Sequence, residues 1–121
     1  MRKYIPHILI ISFVLLLAPT AHVASYAGAI EDAKEEVSKN PDDAGAHTSL
    51  GVAYYILGKY EEAIESFKQA IRIKPDYADA HYCIGLAYVQ INDRGSAMEQ
   101  YKILKKLNTR LANDLFNVIY E

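Results

Sequence analysis

Two histidines, one cysteine and a few paired carboxylates are the only side chains in the body of this sequence that suggest chemistry. His47 and His81 lie 34 residues apart in similar surroundings, Ala-Gly-Ala-His and Ala-Asp-Ala-His. Imidazoles from two elements can hold a metal, but only if they converge and a third ligand joins them. On neighbouring packed helices the two would be spaced by roughly 8–10 Å. Two packed histidines are therefore the expectation, not a metal site. Cys83 follows His81 by two positions, and residues two apart on a helix do not face one another, so a Cys–His nucleophile pair is not expected. It is the single cysteine, which excludes an internal disulfide and leaves an intermolecular one open. Glu35-Glu36 and Glu61-Glu62 fall on what should be solvated helix surface. No glycine-rich phosphate loop, CxxCH haem site or GxSxG elbow occurs. The expectation is no catalytic residue, no cofactor and no metal, so the protein is not read as an enzyme.

The elements that carry these residues repeat. Shifting the chain by 34 residues aligns 44–77 with 78–111 without a gap. Nine positions are identical: Ala44/Ala78, Ala46/Ala80, His47/His81, Gly51/Gly85, Ala53/Ala87, Tyr54/Tyr88, Ala63/Ala97, Glu65/Glu99 and Lys68/Lys102. Chance would give about two at ordinary residue frequencies. Each copy reads as two helical stretches, Ala44–Leu57 and Tyr60–Ile73, then Ala78–Ile91 and Arg94–Leu107. Gly58-Lys59 and Asn92-Asp93 mark the turns inside the copies, and Pro75-Asp76 the turn between them. Glycine inside a helix costs about 1 kcal/mol relative to alanine. Gly51 and Gly85 thus call for close approach of the paired helix, with Ala63 or Ala97 expected against the glycine backbone. Tyr54, Phe67, Tyr88 and Tyr101 are expected around that contact.

The period and its residues resemble the tetratricopeptide repeat (TPR). The first copy supplies Leu50, Gly51, Tyr54, Ala63, Phe67, Ala70 and Pro75, and the second Ile84, Gly85, Tyr88, Ala97 and Tyr101. Leu104 and Thr109 depart from the pattern, and His47 and His81 stand where the family usually has Trp. The resemblance implies an all-α solenoid of antiparallel helix hairpins, about six helices in all. Partial copies flank the full ones. Ala29-Ile30-Glu31, Lys34 and Pro41-Asp42 match the second helix of a repeat at the same offset, with Ala33 and Glu36 at its aromatic and alanine positions. A closing helix is expected over 111–120, with Leu111, Leu115, Val118 and Ile119 on one stripe. The resulting division is 1–25 signal segment, 26–43 capping half-repeat, 44–77 and 78–111 repeats, and 112–121 capping helix.

By the same resemblance, the first helices line a concave groove through Gly45, Thr48, Ser49, Val52, Tyr55, Ile56, Asp79, Tyr82, Cys83, Leu86, Val89 and Gln90. None is Lys or Arg, so the carboxylate clamp of the family's chaperone-tail binders does not carry over. The strip suits an apolar helix or extended segment. The residues expected to contact a partner are Thr48, Val52, Tyr55, Ile56, Asp79, Tyr82, Leu86, Val89 and Gln90. The closing helix or a second copy could instead cover part of them.

Residues 1–25 look like an address. Arg2 and Lys3 precede Ile8–Ala18, an apolar run with only Ser12 polar, then Pro19 and small residues. This is the layout of a secretory signal peptide, with small residues fitting cleavage after Ser25 or Ala27. The run is shorter than the ~20 residues of a spanning helix; an uncleaved anchor over 5–24 is the alternative. Export to a periplasmic or secreted location follows, along with a partner in the envelope or secretory pathway.

A chain of 121 residues holds one domain. Its formal net charge of −2 gives no basic field for nucleic acid, and no nucleic-acid partner is expected. Charge is nonetheless uneven. Residues 28–43 carry six acidic and two basic side chains, and residues 94–110 five basic and one acidic. That asymmetry could steer one copy toward another. The leading expectation is an exported protein-interaction module, adaptor or assembly factor; the alternative is a self-associating structural subunit.

Overall fold

The computed structural model describes residues 25–121. The described residues form α1 (25–39), α2 (Ala44–Ile56), α3 (Tyr60–Ile73), α4 (Ala78–Gln90), α5 (Arg94–Leu107) and α6 (Thr109–Tyr120). From α2 onward each helix packs on the next, and α2, α4 and α6 also stack on one another. The result is an all-α solenoid of antiparallel hairpins. The proposed signal segment lies outside the described residues, save for Ser25, which opens α1. Among the described residues, no helix is long and apolar enough to cross a membrane.

Local chemistry sets the four central helices where the sequence placed them, to within one residue. Gly58 (φ 73°) and Asn92 (φ 62°) stand at the same repeat position, just past the first helix of each copy. Left-handed backbone is open to glycine and tolerated by asparagine. There the Lys59 and Asp93 amides turn back to the Tyr54 and Tyr88 carbonyls at 3.0 and 2.8 Å. Asp43 accepts the Gly45 amide at 2.8 Å and so caps α2. Asp93 accepts both the amide and the hydroxyl of Ser96, at 3.0 and 2.7 Å, and these two bonds hold its carboxyl below the usual carboxylate range. α3 has no side-chain cap and instead places Glu61 and Glu62 in its first turn, at the positive end of the helix dipole.

The closing helix differs from expectation. It begins at Thr109, so the 111/112 division falls inside it. Asn108 alone separates α5 from α6, ending one helix and accepting the Leu111 amide at 3.2 Å to start the next. Four residues and a Pro-Asp turn join α3 to α4. With no such turn here, α6 starts three residues early in the repeat register.

The core runs along the solenoid in linked clusters. Ala63, Ile64 and Phe67 of α3 meet Ile84 and Ala87 of α4. Ala97 and Leu104 of α5 meet Ala112, Leu115 and Ile119 of α6. Both helix glycines mark close approach, but their nearest neighbours are not the expected alanines. A Cβ on Gly51 would lie 2.5 Å from the Phe67 ring, and one on Gly85 would lie 2.6 Å from a Leu115 methyl. Phe67 belongs to the paired helix, whereas Leu115 belongs to the helix after it.

Candidate protein-binding groove

The α2/α4 surface holds a depression of about 180 Å³, lined by Val52, Tyr55, Phe67, Cys83 and Leu86. Its lining is the direct result of repeat spacing. Val52 and Leu86 stand at the same repeat position on α2 and α4, Tyr55 lies one turn after Val52 and Cys83 one turn before Leu86, and the Phe67 ring comes in from α3 beside Gly51. Val52 is 36% exposed, so the lining offers apolar surface to solvent. Tyr55 packs edge-on against Tyr60, with ring centroids 5.4 Å apart. Its hydroxyl is pushed upward in pKa first by burial and then by Tyr60, with the Gln90 side chain pulling the other way.

The nine expected contact residues do not form one surface. Val52, Tyr55 and Leu86 share the depression, and Ile56 is exposed near the end of α2 outside its lining. Tyr82 and Val89 pack instead on the cluster that α6 completes, and Leu86 touches that cluster as well. Tyr82 is raised in pKa chiefly by burial, with Asp114 of α6 adding to it, which places the closing helix close to this part of the strip. Asp79 and Gln90 are exposed at the ends of α4. Thr48 is buried, and its hydroxyl donates to the Ala44 carbonyl of its own helix at 2.8 Å, so it presents no free donor. Two lining residues were outside the nine. The sequence places Phe67 around the Gly51 contact, and its position in the repeat does not show that its ring also lines a depression. Cys83 belongs to the concave strip expected from the repeat but not to the nine expected contacts.

The potential reactive groups are held in structural roles. His47 and His81 bond through Nε2 to the Pro41 and Pro75 carbonyls at 2.8 and 2.7 Å. A carbonyl only accepts, so each Nε2 carries the proton. In both copies the ring ties the first helix to the turn before it. His81 is 4% exposed, and its Nδ1 also meets the Gln100 side-chain amide at 2.7 Å. Both ring nitrogens are thus engaged. Burial, then Asp79 one turn away, pushes the Cys83 thiol up to about 11, which disfavours the nucleophilic thiolate at neutral pH. Among the described residues, no group of three or more His, Cys, Asp or Glu side chains could hold a metal ion.

Comparisons with known proteins agree with this architecture. A family model described as TPR repeat matches residues 53–92, and one described as tetratricopeptide repeat matches residues 33–65. The structure of MamA MSR-1 superposes with a TM-score of 0.66 at 30% identity, over 74% of this chain and 51% of that one. The chain thus spans about half the length of that protein. The first TPR of Spaghetti (RPAP3), bound to HSP90 peptide SRMEEVD, superposes at 0.71 with 20% identity, over 84% and 82% of the two chains. The TPR2B domain of yeast Sti1, in a pHsp70 complex, does so at 0.73 with 18% identity, over 85% and 86%. These last two likenesses concern the fold alone. No curated protein matches the chain by sequence. The matched span runs from α1 to the end of α4 and takes in the repeat junction, its glycines and its tyrosines: residues 33–92 are tetratricopeptide repeats, a non-catalytic scaffold fold.

Proposed function

We propose that this protein is an interaction module that takes an apolar side chain of a protein partner into the α2/α4 depression. The observation that carries this reading is the depression itself, with carbon and sulfur lining its walls and Val52 exposed at its rim. Its size suits one bulky anchor, and the strip around it suits an amphipathic helix or an extended segment. The relatives of known structure that hold HSP90 and pHsp70 partners support a peptide-binding role in general. The chemistry here differs from what an acidic tail requires, since the concave positions from Gly45 to Gln90 include no Lys or Arg.

The test is titration of labelled peptides by fluorescence anisotropy, one set amphipathic and uncharged on its apolar face, the other the acidic SRMEEVD. The amphipathic set should bind and the acidic one should not. Val52→Glu should weaken binding by about thirtyfold, the loss of one anchor worth on the order of 2 kcal/mol, with the melting temperature kept. Binding that survives Val52→Glu, or that favours the acidic peptide, would remove the depression as the site.

The module acts outside the cytoplasm in this reading, as an adaptor or assembly factor. Arg2-Lys3, the apolar run Ile8–Ala18 and the small residues before Tyr26 support export. Intact-mass measurement on protein from the exporting host should find the chain beginning near Tyr26 or Gly28. A retained Met1 in the membrane fraction would favour the anchor over residues 5–24.

A further inference from the structure

We infer that copies of this chain join end to end, α6 of one copy pairing with α1 of the next to complete a repeat hairpin. α6 stacks on α4 in the line of first helices, and among the described residues no second helix pairs with it. α1 occupies the second-helix position, with Ile30 buried as Ile64 is, and among the described residues no first helix precedes it. Among the described residues, then, α6 is a first helix without its second and α1 a second helix without its first.

Their surfaces are complementary in size and charge. Ala63 and Ala97 are fully buried against their own first helices, whereas Ala29, at the same repeat position, is exposed. Ala33 stands where the full copies carry Phe67 and Tyr101, which leaves room on that face. At the other end Phe116 and Tyr120 are 40% and 60% exposed. Their rings lie 4.6 Å apart, and Tyr101 adds a third ring 5.3 Å from Phe116. Small residues face outward at the front and aromatic ones at the rear.

Charge points the same way. Lys34 and Lys39 are tied to Glu31 and Glu35; Asp32 and Glu36 are exposed on the stripe that Ala29 and Ala33 share, and among the described residues no cation pairs with either, Glu36 accepting only from the Asn40 side chain. At the rear Lys105 lies 5.7 Å from the Tyr101 ring centre, and no carboxylate pairs with Lys105 or Arg110 among the described residues. Antiparallel pairing, as in α2/α3 and α4/α5, would bring Arg110 toward Glu36. A contact between unlike faces does not close on itself, so it builds chains of copies instead of stopping at a dimer. It uses the ends of the solenoid and leaves the α2/α4 depression open, so it stands apart from the peptide-binding reading.

Sedimentation equilibrium of the purified full-length protein, with reductant to exclude a Cys83 disulfide, tests the inference. The mass should rise with concentration past that of a dimer, and the rise should weaken in high salt. Ala29→Arg blocks the front with a charge like that of the opposing rear, and Tyr120→Glu blocks the rear with a charge like that of the opposing front. Both positions are exposed, and circular dichroism should show both variants folded. Each alone should be monomeric, and an equimolar mixture should give a species of twice the monomer mass and nothing larger. A wild type that stays monomeric overturns the inference. So does a mixture that fails to pair, or a blocked variant that still associates alone, which would indicate a symmetric face or association through residues 1–24.

Discussion

The two copies of the repeat place a glycine at the same point of their first helix and fill the space over it from different directions. Over Gly51 the plug is Phe67, from the copy's own second helix. Over Gly85 it is Leu115, from α6, while Tyr101, the counterpart of Phe67, is only half-buried and stacks on Phe116. The residue 34 positions before Leu115 is His81, whose ring is committed to the Pro75 carbonyl. His81 is the fourth residue of α4, whereas Leu115 is the seventh of α6. Without a Pro-Asp turn, α6 gains most of an extra turn, and a different side chain arrives at the glycine. The glycine of the first copy is covered from within the copy, and that of the second by the helix that follows it.

Removing the plugs is the strongest way to break that comparison. Phe67→Ala and Leu115→Ala each empty a site that is at most 1% exposed, at a cost of about 3–5 and 2–5 kcal/mol respectively. Because a solenoid is held by nearest-neighbour contacts, the losses should differ in location. Hydrogen exchange should show Leu115→Ala loosening α4 to α6 while α2 and α3 keep their protection. Phe67→Ala should loosen α2 to α4. Equal loss across all helices in both variants would mean that the copies do not close separately.

Smaller effects should sharpen it. Gly51→Ala and Gly85→Ala each gain about 1 kcal/mol of helix propensity against a clash of about 1–3 kcal/mol. The Phe67 ring is stiff and the Leu115 methyls can swing aside, so Gly51→Ala should be the more damaging. In a thermal-melt double-mutant cycle, Gly85→Ala should couple to Leu115→Ala and add independently to Phe67→Ala. Coupling of Gly85 to Phe67 instead would refute the assignment of plugs.

The weakest contrast separates the histidines. His81→Ala leaves the Pro75 carbonyl and the Gln100 amide without the ring, whereas His47→Ala frees one carbonyl at an exposed turn. At about 1 kcal/mol for each bond of this kind, urea denaturation should find His81→Ala costlier by about 1 kcal/mol. Equal midpoints would show that the Gln100 contact contributes nothing.

Much of the architecture was legible before any coordinates. Periodic apolar positions, the αL residues Gly58 and Asn92, and the 34-residue offset locate α2 to α5 to within one residue, because helix formation and termination depend on side chains within about one turn of each other. The groove was legible only in part. Repeat positions say which residues turn toward the concave side, but Thr48 spends its hydroxyl on its own helix and Tyr82 and Val89 join the cluster that α6 completes.

By itself, then, the sequence determined the repeat, its hairpins, the equivalent placing of the two histidines, and the need for close approach at two glycines. Tertiary structure alone decided which side chain met each glycine, where α6 began, and that Ala29 would lie exposed while Ala63 and Ala97 are sealed. The reason is one of range. Periodicity and capping are settled between neighbours along the chain. Who fills a space depends on how helices 16 or 30 residues apart come together, and here the length of one connection, Asn108 alone in place of four residues, changed the answer.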